Sequence, residues 1–111
     1  MILLVIVAML LSACTEQPPR MGRNLPRRDT SHFDERVRQR FPVGSDETQL
    51  QAELRSEEFY ITEIHDSAYG YRFLARHEVS IMFCKEHWTI QWTAEEGKIT
   101  RIEGGIREIC L

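Results

Sequence analysis

The 111-residue chain has few of the residues from which catalytic and cofactor sites are built. It holds three cysteines, four histidines, four prolines and six glycines. It contains no Ser-centred nucleophile elbow, no Gly-rich phosphate loop and no His-Glu-x-x-His, which removes the common hydrolase, nucleotide-binding and zinc-protease signatures. Cys84-x-x-His87 supplies only two ligands, with no second pair at zinc-finger spacing, so no metal and no cofactor is expected. The formal charge of −3 is too small to argue for or against nucleic acid. The single long apolar run, Ile2 to Leu11, falls short of the roughly 20 residues that cross a bilayer. Residues 1–13 carry no charged side chain.

What is present starts where that run stops, at Leu11-Ser12-Ala13-Cys14. An apolar stretch of this length ending in small residues has the form of a signal-peptide core and cleavage site. Leu-Ser-Ala-Cys resembles the lipobox of bacterial lipoproteins. The resemblance implies that Cys14 is lipidated on sulfur, that the chain is cut before it, and that the new amine is acylated. An alternative is a buried N-terminal strand with an incidental cysteine. Two or more acyl chains make anchoring stable. Thr15, rather than Asp, follows the cysteine, which points to the outer membrane facing the periplasm rather than to the inner membrane. In that compartment the membrane is the expected partner and nucleic acid is not.

The domain plan is then a signal peptide over residues 1–13, a lipidated cysteine with a flexible tether over 14–30, and one small domain over 31–111. The tether, "TEQPPRMGRNLPRRDT", is rich in proline and poor in apolar periodicity. Its Arg20, Arg23, Arg27 and Arg28 suit contact with an anionic membrane surface, or serve solubility alone. Cys84 and Cys110 form an even pair in an oxidising compartment and are expected to bridge. Two free buried thiols are the alternative. A bridge would close a loop of about 26 residues.

In "TSHFDERVRQRFP", Phe33, Val37 and Phe41 recur at helical spacing, with Thr30 or Ser31 placed to cap and Pro42 to terminate. Gly44 makes a turn, and Ser45 is the expected N-cap of a second helix that stacks Leu50 on Leu54 and fades near Ser56. Beyond Glu58 the period shifts to two. "FYITEI" reads as a strand and residues 65–76 as an irregular loop displaying Tyr69 and Tyr71. Val79, Ile81 and Phe83 alternate, as do Trp88, Ile90 and Trp92, and together these six should form the apolar face of a sheet. "TAEEGKIT" turns at Gly97, and the returning strand meets Gly104 and Gly105, read as a bulge or a strand end. Ile106, Ile109 and Leu111 are left for a short tail. The expected class is α+β: two short N-terminal helices packed on a three- to four-stranded antiparallel meander.

"FPVGSDETQLQAEL" and the later "WTIQWTAEEGKITRI" resemble the small outer-membrane lipoproteins of the SmpA/OmlA (BamE) type. The resemblance covers Phe41 to Leu54 and Trp88 to Ile102. It implies an α-α-β-β-β layout and a part in outer-membrane protein assembly. The chain departs from the family's pattern after Leu54, where Arg55-Ser56-Glu57 replaces a turn motif, and in its Cys84–Cys110 pair.

Four side-chain groupings remain to be weighed. Glu63 and His65 share a face on a strand, beside Asp66, as a general base with its orienting acid would; a sheet-edge salt bridge is the commoner use. His77 and His87 flank a hairpin and could meet across two strands to bind a metal. Trp88 and Trp92 suit a core, or a sugar-stacking platform. Residues 20–40 hold seven Arg and three acids, whereas residues 45–66 hold seven acids and one Arg. The expected function is that of a membrane-anchored, non-enzymatic envelope lipoprotein that binds other envelope proteins. The alternative is an anchored periplasmic module that holds a small ligand or glycan through Tyr69 and Tyr71.

Overall fold

A computed structural model describes residues 30–65 and 68–111. The signal segment, Cys14, the four tether arginines and Asp66 lie outside the described residues. The described residues form two helices and a four-stranded antiparallel sheet, an α+β class. The helices are α1, Thr30–Arg40, and α2, Glu47–Ser56. The strands are β1, Tyr60–Glu63; β2, Phe73–Ile81; β3, Cys84–Glu95; and β4, Lys98–Cys110, in the spatial order β1-β2-β3-β4. Among the described residues no helix is long and apolar enough to cross a membrane.

The 3.6-residue period of α1 places Phe33, Val37 and Phe41 on one buried stripe. The Phe33 ring meets Trp88 edge to face, with centroids 5.0 Å apart. This contact depends on Gly104. A Cβ built there would lie 2.9 Å from Val37 Cγ2 and 3.1 Å from Phe33 Cδ2, so the glycine is the surface on which α1 rests. It is neither a bulge nor a strand end: β4 runs through it to Cys110, and the register shift falls instead at Thr93/Ala94.

The second helix is capped by Asp46, not Ser45. Asp46 Oδ1 accepts hydrogen bonds from Thr48 N at 2.8 Å and Gln49 N at 3.2 Å. Ser45 is engaged elsewhere, because its carbonyl accepts from Ile99 N at 2.9 Å and so ties the interhelical turn to β4. Leu50 and Leu54 are fully buried. Arg40 and Glu53 join the two helices by a forked ion pair, Nη2 to Oε1 at 2.8 Å.

Register sorts the sheet into two faces. Ala75↔Ile90↔Gly104 and His77↔Trp88↔Ile106 lie across one another on the helix side. Ala75, Val79, Trp88, Ile90, Trp92 and Ile102 are buried there. Phe83, expected on this face, is 73% exposed, because the hairpin turns at Met82-Phe83 and β3 begins one residue later. β2 also begins earlier than the alternation suggested, so Phe73–Arg76 is strand rather than loop and pairs with Tyr60–Glu63. Ile106 and Ile109 belong to β4 rather than to a tail.

Candidate functional site

The loop from β1 to β2 separates the two tyrosines. Gly70 takes a positive φ of 80°, and the chain reverses so that Tyr69 is 75% exposed while Tyr71 is 6% exposed. Tyr71 is therefore not a displayed aromatic. Its hydroxyl donates to Glu103 Oε2 at 3.0 Å, and the Arg101 guanidinium lies 4.5 Å from its ring centroid. Arg101 also donates to the Tyr69 carbonyl at 3.0 Å. Glu103 pairs with Gln91 and Arg101 with Thr93, positions that alternate with the buried Trp92, so Tyr71 fastens the loop across the face turned away from the helices. Burial raises the Tyr71 pKa above its ordinary 10.0, the hydrogen bond to Glu103 raises it further, and Arg101 pulls the other way. The arrangement is a latch, and it leaves Tyr69 as the exposed ring of the pair.

The acid and histidine groupings are taken apart by the register. Glu63 lies 3.7 Å from Arg72 in an exposed ion pair, and His65 is exposed beyond the end of β1. His77 pairs with Trp88 while His87 pairs with Glu78, which sets the two imidazoles on opposite faces of the sheet. His77 packs against the Phe59 ring, with centroids 5.5 Å apart. His87 Nε2 meets Glu78 Oε1 at 3.0 Å. The two cannot share a metal ion. Trp88 and Trp92 are wholly buried, and each indole N–H is met by an acid: Glu86 Oε1 at 3.0 Å and Glu47 Oε2 at 3.2 Å. A sugar platform on these rings is excluded by their burial.

Cys84 is bonded to Cys110 across β3 and β4, at directly opposed register positions with Cα atoms 4.0 Å apart. Glu108 lies beside them, and its carboxylate and the two sulfurs fall within 4.8 Å of one another. With both sulfurs in the bridge, no thiolate is offered to a metal there. The bridge staples the end of the sheet where the β2–β3 turn presents Met82 and Phe83.

Two features were not singled out from the sequence. One is Glu86, a carboxylate only 2% exposed, whose alternation with Trp88 on β3 was the available signal. The other is the apolar hairpin tip, for which "SIMFCK" reads as continuing strand. Comparison of the chain with family models, with curated proteins and with solved structures returns no match.

Proposed function

We propose that the chain is a membrane-anchored envelope lipoprotein with a non-enzymatic, protein-interaction or scaffold role at the outer membrane. The observation that carries the reading is the Cys84–Cys110 bridge in a chain whose Leu-Ser-Ala-Cys motif offers Cys14 for lipid. A structural disulfide belongs to an oxidising compartment, and the motif supplies both the route there and the attachment. Two helices precede a meander of four strands, one strand more than the α-α-β-β-β layout that the SmpA/OmlA (BamE) resemblance implies; the resemblance itself supports a part in outer-membrane protein assembly. The burial of Tyr71 weighs against the glycan-binding alternative, because it removes one of the two rings that reading requires. Crosslinking in intact cells followed by mass spectrometry tests the role. Reproducible crosslinks to envelope proteins support it, whereas a chain recovered uncrosslinked but carrying a bound small molecule contradicts it.

A further inference from the structure

The domain has two chemically different ends, and α1 shows at which of them the described residues begin. Thr30 Oγ1 contacts the Ile106 carbonyl at 3.1 Å and the Ile106 nitrogen at 3.3 Å, and Asp34 accepts from Gly104 N at 2.8 Å. The helix therefore runs antiparallel to β4, from Ile106 towards Lys98. Thr30, the first described residue, lies on the Cys110 side of α1 and not on the side of the β3–β4 turn.

That same end is apolar. Met82 and Phe83 form the two-residue β2–β3 turn and are 92% and 73% exposed. Ile109 and Leu111 are exposed beside them, and Leu111 N donates to the Phe83 carbonyl at 3.0 Å. Met82 holds a φ of 52°, a conformation for which two-residue turns favour Gly or Asn. Turn chemistry thus argues against Met-Phe at these positions, and solubility argues against it as well. The disulfide lies directly behind the turn and fixes it to β4. Lys85 and Arg107 lie next along the outer face, Lys85 paired with Glu78 at 3.8 Å, and Glu108 stands beside the disulfide. The opposite end, about 40 Å away along the 13 residues of β4, is polar and acidic. It carries Asp46, Glu47, Glu95 and Glu96 around the Gly97 turn, against the cation Lys98, which faces Asp46 and Glu95 there.

From this polarity we infer that the Met82-Phe83 tip is a membrane-docking wedge, seated among the lipid headgroups beside the anchor, with the acidic end turned outward. The inference rests on the anchored reading above and names the surface by which the domain meets the lipid. Exposed Phe and Met beside Lys and Arg suit the interface, where apolar groups reach the acyl boundary and cations meet phosphates.

The test uses the full chain, taken from cell membranes and reconstituted into vesicles containing bromine-labelled phosphatidylcholine. A Phe83→Trp variant places an indole at the tip, and Val43→Trp places one near the acidic end, where Val43 is 68% exposed. The wild-type chain supplies the background of the two buried tryptophans. The added emission of F83W should be quenched about twofold by the labelled lipid, as for an indole at the interface, and that of V43W should not change. Unquenched F83W emission, or equal quenching of both, overturns the inference and would leave the tip to an apolar pocket on a protein partner. Intact mass of the same sample reports acylation of Cys14 separately, so an unlipidated chain would refute the anchor while the quenching still decides the tip.

Discussion

The hydroxyl of Thr30 lies within hydrogen-bond reach of both main-chain groups of Ile106, and one helical turn later the Asp34 carboxylate takes the N–H of Gly104 at 2.8 Å. These two side chains occupy polar groups on the free edge of β4, where an open strand would otherwise invite pairing with another chain. They also fix the direction of α1, which runs antiparallel to β4. Asp34→Ala should lower stability by about 1–3 kcal/mol, since it strips an acceptor from a half-buried N–H. Asp34→Asn, which keeps an acceptor, should recover most of that. Urea unfolding of the three proteins checks the order.

Gly104 carries the second contact of α1. Gly104→Ala should destabilise by about 1–3 kcal/mol, because the added methyl meets Val37 and Phe33 in a filled core. The effect should shrink when combined with Val37→Ala, which vacates the nearest atom. A double-mutant cycle in denaturant reads the coupling, and strict additivity would show that α1 does not rest on this glycine.

Tyr71 predicts an alkaline limit. Burial and Glu103 hold its proton more firmly in the folded chain than in the unfolded one. The contribution is therefore complete below the ordinary tyrosine value of 10.0 and is lost as pH rises from there through the raised folded value. Tyr71→Phe should be less stable than wild type near neutrality, by roughly 1 kcal/mol for the lost hydrogen bond. The gap should narrow above about pH 10. Thermal melts of both proteins across that range measure it, and a constant gap would contradict the latch.

Much of the fold was legible because burial follows periodicity wherever an element has one wet face. Phe33, Val37 and Phe41 announce α1 by their spacing, and Trp88, Ile90 and Trp92 announce β3 by their alternation. The misread positions are those where something other than period decides. Ser45 and Asp46 are both competent caps, and the choice falls to Asp46 because the Ser45 carbonyl is held by Ile99. Gly104 and Gly105 look like strand breakers in a chain read alone, and only the approach of α1 explains the first. Phe83 continues an alternating pattern whose turn carries no glycine or asparagine. Tyr71 is buried by Arg101 and Glu103 some thirty residues away, a long-range contact with no local signature. The Cys84–Cys110 pairing, by contrast, follows the expectation drawn from an even pair once Cys14 is set aside.

The bridge should matter to a domain this small. Reduction, or the paired substitution Cys84→Ala with Cys110→Ala, should lower stability by about 3–4 kcal/mol for a loop of 26 residues in the chain-entropy treatment. Denaturation with and without a dithiol reductant checks this. Equal midpoints would mean that β3 and β4 hold their register without help.

The central claim is that Cys14 carries lipid. Intact-mass spectrometry of the chain purified from bacterial membranes addresses it directly. The account predicts a species that begins at Cys14 and exceeds its sequence mass by a diacylglyceryl group and a further acyl chain, and that reverts to an unmodified, membrane-released form in Cys14→Ala. A membrane-derived chain that retains residues 1–13 and carries no added mass would contradict it.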